Sequence, residues 1–254
     1  MDKSRNRKIR EGEPGYVSVS RGVHFLQVPQ NPSRSGGDTH IYGNPHITTD
    51  PLRGIQIAEN IKIGLTRVDP QNTSYYQARS LEFKTEVYRR LFGTELVELV
   101  GGDQLAQLSR SHQLDQFLDG NKIGGNPLRN SLNGWLKQAE CLQGKPIIAY
   151  HKNWVYFTDR FGIEIVDYVE HKPGIPPTAR HVVALIEKIK TLGIKAILTA
   201  NYFDKKAPRM IEDKSGAKAL IVPLFVAGTS EAQSYFDLFD IWIRALRSVH
   251  PDCK

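Results

Sequence analysis

From Gly144 onward the chain repeats short apolar runs separated by amphipathic stretches. Pro146–Tyr150 is continuously apolar, which suits a strand buried on both faces. Ile163–Val169, Ile194–Ala200 and Ala219–Pro223 read as three further strands. The segments between them are helical: Asn153–Phe161, Thr178–Leu192, Lys205–Ser215 and Glu231–Val249. Thr178 sits where a helix cap is expected and Gly193 where that helix must end. Strand and helix alternate four times, which predicts a parallel sheet covered on both faces.

The upstream half is less regular. Residues 1–50 are rich in Gly, Pro, Ser, Asn and charge, with one expected strand, Val23–Val28, bounded by Gly22 and Pro29. From Asp50 the texture changes. Ile55, Ala58, Ile61, Ile63 and Leu65 recur at roughly helical spacing, with Pro51 in the first turn. A second helix follows Pro70 and runs to about Phe92, where Gly93 stops it. Leu96–Val100 reads as a strand, and a short helix begins at Asp103. Residues 120–143 hold a glycine-rich loop and a helix carried by Leu128, Leu132 and Leu136. No internal repeat is present. The expected organisation is a segment 1–70, a helical linking region 71–143 and an α/β lobe 144–254.

Composition narrows the function classes. With 254 residues, 40% apolar and 24% charged, the chain can bury one large core or two modest ones. The net charge is +7, but Lys3, Arg5, Arg7, Lys8 and Arg10 supply much of it, and the remainder is scattered among acids. That distribution describes a solvated surface and not a nucleic-acid stripe. No apolar run reaches the roughly 20 residues that span a bilayer. Glu11, Pro14 and Gly15 stand where the apolar core of a secretion signal would follow a basic start, so a cytoplasmic location is expected if the sequence is complete. Cys141 and Cys253 belong to no CxxC pair, which removes zinc-finger and thioredoxin readings; free thiols are the default expectation, with one disulfide as the alternative.

Candidate chemistry lies at the carboxyl ends of the expected strands, where open parallel sheets bind ligands. His151 directly follows Pro146–Tyr150, where an imidazole can face a cleft and coordinate a metal. A hydrogen-bonded structural histidine is the alternative. Asn201 and Tyr202 follow the third strand, as ligand donors or as loop supports. A second group is His40-Ile41-Tyr42-Gly43-Asn44-Pro45-His46, then Asp50-Pro51, a turn-rich loop that can hold His46 in place. Neutral imidazoles suit zinc. The sequence has no phosphate-binding glycine loop, nucleophile elbow or HExxH motif. Asp237 and Asp240 are read as a solvated helix face, and Tyr235, Phe236, Phe239 and Trp242 as core.

Several blocks carry a family resemblance. Tyr150-His151-Lys152-Asn153-Trp154-Val155-Tyr156-Phe157 followed by Phe161-Gly162, the loop Pro173-Gly174-Ile175-Pro176-Pro177, and Gly43-Asn44-Pro45-His46 with Asp50-Pro51 stand in one order. Gly216-Ala217-Lys218 and Tyr235-Phe236-Asp237-Leu238-Phe239-Asp240 complete it. This set resembles the periplasmic zinc/manganese solute-binding proteins of metal ABC importers, over roughly residues 8–250.

The resemblance implies an α/β fold of two parallel-sheet lobes joined by a long helix, the first lobe incomplete, with metal held between them. It implies His46 and His151 as metal ligands, with His40 and Glu231 as minor candidates, and no catalytic residues. Its cargo would be Zn2+, with Mn2+ the alternative, and its partner an ABC importer permease. The protein would be a monomer, periplasmic or on the cell surface, and not an enzyme. Two features depart from the pattern. Gln233 stands where a carboxylate ligand is common, and nothing corresponds to the start of the first lobe, its export signal and its histidine. His24, inside an expected strand, is a poor substitute. The helix from Asp50 should therefore expose apolar surface. The alternatives are a truncated remnant without function and a zinc-dependent hydrolase, in which an open zinc site activates water.

Overall fold

The computed structural model describes residues 6–30, 42–170 and 175–253. The chain forms two compact units, one made of 1–24 and 47–134, the other of 25–46 and 135–254. This division differs from boundaries at 70 and 143: the expected linking region largely joins the first unit, and the segment ending in His46 joins the second.

In the first unit, α1 (Pro51–Val68) starts where Pro51 supplies a pre-set φ and the Asp50 carboxylate accepts from Leu52 N–H at 3.0 Å. Asp50 is fully buried and also pairs with Arg53. α2 (Thr73–Phe92) packs on α1 and ends at Gly93. α3 (Thr94–Val100), α4 (Gly102–Arg110) and α5 (Leu114–Gly120) follow. Strands β1 (Lys122–Ile123) and β2 (Asn126–Pro127) form a hairpin around Gly124 and Gly125. Leu52, Val87, Leu91, Phe92, Leu96, Leu105 and Leu118 are fully buried. Ile61, Ile63, Leu65 and Val68 of α1 are exposed, as expected.

Three expectations for local structure fail. Leu96–Val100 is helical: Gly93 and Gly101 close the segment at both ends, and burial of Leu96 against neighbouring helices replaces strand pairing. Val23–Val28 is irregular, because Gln27 takes φ 54° and the Leu26 backbone bonds to Asn44 and Tyr156 instead of to a strand. The helix through Leu128, Leu132 and Leu136 is broken into a 3-10 turn, Leu128–Ser131, and α6 (Gly134–Ala139). Gly134 has φ 67°, and a Cβ there would lie 2.2 Å from the Arg90 carbonyl oxygen, so the helix cannot run through it.

The second unit is the α/β lobe. Its strands β3 (Pro146–Ala149), β4 (Glu164–Tyr168), β5 (Ala196–Ala200) and β6 (Lys218–Val222) alternate with α7 (Val155–Phe161), α8 (Ala179–Leu192), α9 (Lys206–Ser215) and α10 (Tyr235–Ser248). All pairings are parallel, in the order β4-β3-β5-β6. Among the described residues, parallel strands occur only in this unit. Successive residues Ile147, Ile148 and Ala149 are all buried, which explains the unbroken apolar run: both faces of the sheet are covered. Ile148, Ile197, Val182, Leu185, Ile189 and Ile211 form one cluster that seats α8 and α9. Trp154, Phe157, Phe239 and Trp242 form an aromatic cluster that joins α7 to α10.

Helix boundaries in this lobe follow cap chemistry. Thr178 accepts from His181 N–H, and Gly193 ends α8 in the left-handed conformation. α10 starts at Tyr235 instead of Glu231, because Ser234 and Asp237 form a reciprocal capping box. The default of free thiols is corrected: Cys141 and Cys253 are joined in a disulfide, their Cα atoms 5.4 Å apart. Both lie in the second unit, where the 3-10 turns Glu140–Leu142 and Pro251–Cys253 meet.

Candidate metal site

β3 is the strand at which the sheet order reverses: the chain passes from β3 to β4 on one side, then crosses to β5 on the other. Ligands of open α/β sheets bind beyond the strand ends at such a point. Tyr150 N–H still bonds to the Leu198 carbonyl at 2.8 Å, and His151 is the first residue beyond. Its ring is held on two sides. Nδ1 lies 2.6 Å from Glu170 Oε2, and Phe203 packs at 5.6 Å between ring centroids while stacking on Tyr150 at 4.5 Å.

Glu170 occupies the corresponding place after β4, with its backbone N–H bonded to the Tyr150 carbonyl at 2.9 Å. Its side chain is only 9% exposed, and that of His151 16%, so both polar groups are mostly withdrawn from water and satisfy each other. The carboxylate is felt nearby. Burial first, then the charges of Glu170 and Asp204, push the Tyr150 phenol up. Burial also raises Tyr202; Asn153 donation to its hydroxyl opposes this, and the Glu170 charge adds to it.

His46 reaches the same lobe from residues 25–46. Gly43 has φ 107°, and a Cβ there would lie 2.7 Å from Phe25 Cβ, so the turn requires glycine. Asn44 then organises the loop. Its Nδ2 donates to the Lys152 carbonyl at 2.7 Å and to Gln27 Oε1 at 3.2 Å. Its Oδ1 accepts from His46 N–H at 3.0 Å and lies 2.8 Å from His46 Nδ1. The fully buried Tyr156 hydroxyl accepts from Leu26 N–H at 3.1 Å and donates to the Asn44 carbonyl. The result is an edge-on pair of imidazoles, His46 and His151, 5.5 Å apart between centroids at 76°. Two imidazoles at this spacing suit a shared borderline metal.

The other sequence candidates fall elsewhere. His40, Pro173 and Gly174 lie outside the described residues. Glu231 is exposed and pairs with Arg244 at 2.7 Å. The Gln233 amide donates to the Ser230 carbonyl at 2.8 Å. Among the described residues, no three or more His, Cys, Asp or Glu side chains gather as a metal cluster. His24 belongs to the first unit and offers its carbonyl to Arg53. Asn201 and Tyr202 support loops, through Gly228 and Asn153. Asp237 and Asp240 are not a solvated pair: Asp237 caps α10 and Asp240 accepts from Trp135 Nε1 at 2.6 Å. Sequence reasoning missed Glu170. The signal was the carboxyl-end rule itself, applied after the first and third strands but not after the second.

The family described as "Zinc-uptake complex component A periplasmic" matches residues 1–89 and 130–249. The "High-affinity zinc uptake system protein ZnuA" of Brucella abortus (strain 2308) is 30% identical over 112 residues, covering 44% of this chain and 33% of that protein. The chain thus spans about a third of the length of the curated relatives it matches. A crystal structure of ZnuA superposes with a TM-score of 0.61 at 16% identity, over 92% of this chain and 69% of that one. The solute-binding protein FpvC of Pseudomonas aeruginosa, in complex with Mn2+, gives 0.58 at 19%, over 97% and 76%. At these identities the structures share the fold.

Proposed function

Since the chain belongs to the zinc-uptake complex component A family, a family of metal-binding transport proteins and not of enzymes, we propose that it captures Zn2+ and delivers it to an ABC importer permease. His46 and His151 are the ligands in this reading, and the protein acts as a monomer outside the cytoplasmic membrane. The observation that carries it is the imidazole pair at the switch point of the sheet, 5.5 Å between centroids. Zinc is favoured over manganese because both donors are nitrogens, whereas manganese prefers a carboxylate-rich set. The Cys141–Cys253 disulfide supports an oxidising compartment. No helix among the described residues is long and apolar enough to cross a membrane. His40 and Glu231 remain minor ligand candidates, Glu231 the weaker because Arg244 already holds its carboxylate.

The test is a zinc titration of the purified chain against a chromophoric chelator, with His46→Ala and His151→Ala in parallel and Mn2+ as competitor. One equivalent of zinc, lost in both variants and poorly displaced by manganese, is the expected result. Equal binding by wild type and variants would overturn the assignment.

A further inference from the structure

Both imidazoles are approached at Nδ1 by a group that accepts. Beside His46 the assignment follows from the hydrogen-bond network. Asn44 Nδ2 faces the Lys152 carbonyl and Gln27 Oε1, so Oδ1 must be the atom turned to the ring. A carbonyl oxygen cannot donate, so the ring proton belongs on Nδ1. Beside His151 the partner is a carboxylate, Glu170, at 2.6 Å. A carboxylate likewise only accepts. A neutral imidazole with its proton on Nδ1 carries its lone pair on Nε2.

We propose that Glu170 is a positioning residue that holds His151 as the Nδ1–H tautomer, so that Nε2 is the atom presented to the metal. This rests on the reading of His151 as a ligand. The surroundings make the effect strong. Glu170 is 9% exposed, and Tyr150, whose carbonyl accepts from the Glu170 backbone N–H, is buried. In such low-polarity surroundings a charge-assisted hydrogen bond is short and directional. It removes the other tautomer and restricts rotation of the ring, which Phe203 also flanks. The carboxylate also withdraws no donor from the metal: it uses the nitrogen the metal does not. A carboxylate on the far nitrogen raises the basicity of the coordinating one, and losing such a partner typically weakens metal binding about 10–100-fold.

The experiment uses the full chain with histidine labelled at its ring nitrogens. Nuclear magnetic resonance of the metal-free protein reads each tautomer directly, and a zinc titration follows on the same samples. In the wild type, His151 should be Nδ1–H. In Glu170→Leu it should move toward Nε2–H, with zinc affinity about 10–100-fold lower. In Glu170→Gln, whose amide oxygen still accepts, the Nδ1–H form should persist with part of the affinity restored, and this variant decides the matter if Glu170→Leu fails to fold. An Nε2–H His151 in the wild type would overturn the proposal. So would an affinity loss in Glu170→Leu with an unchanged tautomer, which would assign Glu170 to the metal itself. A tautomer that depends on Glu170 in a chain that binds no zinc would uphold the positioning role and sink the metal reading instead.

Discussion

The hydroxyl of Tyr156, on α7, donates to the carbonyl of Asn44, 112 residues earlier in the chain. The same oxygen accepts from Leu26 N–H. These bonds fasten Leu26 and Asn44 to the α/β lobe, and His46 follows Asn44 by two residues. The His46–His151 geometry therefore depends on the hydroxyl of a tyrosine on α7.

Tyr156→Phe keeps the buried ring and removes only the hydroxyl. It leaves the Leu26 donor and the Asn44 acceptor without that partner in a buried place, at a cost of about 1–3 kcal/mol. The expected outcome is a lower thermal midpoint and weaker zinc binding, with the His151–Glu170 pair intact. Wild-type zinc affinity in this variant would show that the loop is held by other contacts.

Gly43→Ala tests the turn before the histidine. The new Cβ would meet Phe25 Cβ at 2.7 Å on a backbone at φ 107°. Strain of about 1–3 kcal/mol is expected, appearing as faster proteolysis in residues 25–46 and weaker zinc binding. Gly193→Ala is the control: its site is open space, though its φ of 63° also disfavours alanine. It should lower stability without a change in zinc affinity.

Reduction of the Cys141–Cys253 disulfide opens a loop closed across a separation of 112 residues. For closures of that length the stabilisation is roughly 2–5 kcal/mol. The paired Cys141→Ser, Cys253→Ser variant, or reductant on the wild type, should lower the unfolding midpoint measured by circular dichroism. Coincident melting curves would remove the bridge from the stability of this lobe.

His250 predicts a pH response of stability. Burial, reinforced by Lys145 and Lys195 and opposed by Asp252, holds its imidazole below the ordinary value of 6.5. The unfolded chain thus takes up its proton at a higher pH than the folded one. Its contribution is fully present above about 6.5 and is lost as pH falls through that value toward the lower folded one. The unfolding midpoint should decline as pH falls below neutrality, and His250→Leu should flatten the decline. Identical slopes for the two proteins would exclude His250 as the cause.

Much of the second lobe was legible because its signals are local. The run Pro146–Tyr150, the Thr178 cap and the Gly193 stop each determine their own conformation within a few residues. His151 was legible for the same reason: a strand end is a place in the sequence as well as in space. The short elements of the first unit were not. Leu96–Val100 is apolar enough for a strand or a helix, and only its packing neighbours settle which. Val23–Val28 has a strand's composition, but pairing needs an edge, and its backbone bonds to Asn44 and Tyr156.

By itself, then, the sequence determined the alternation of strands and helices, the glycine turn before His46 and the family blocks that single out two histidines. Tertiary structure decided what lies beside those histidines. Glu170 is 19 residues from His151, and Asn44 is 108 residues from the Lys152 carbonyl that orients its amide. Cys141 meets Cys253 across most of the lobe. Hydrogen-bond direction, tautomer and disulfide pairing depend on distances of a few ångströms between residues far apart in the chain. Periodicity and composition carry no record of such distances; parallel strand order creates them.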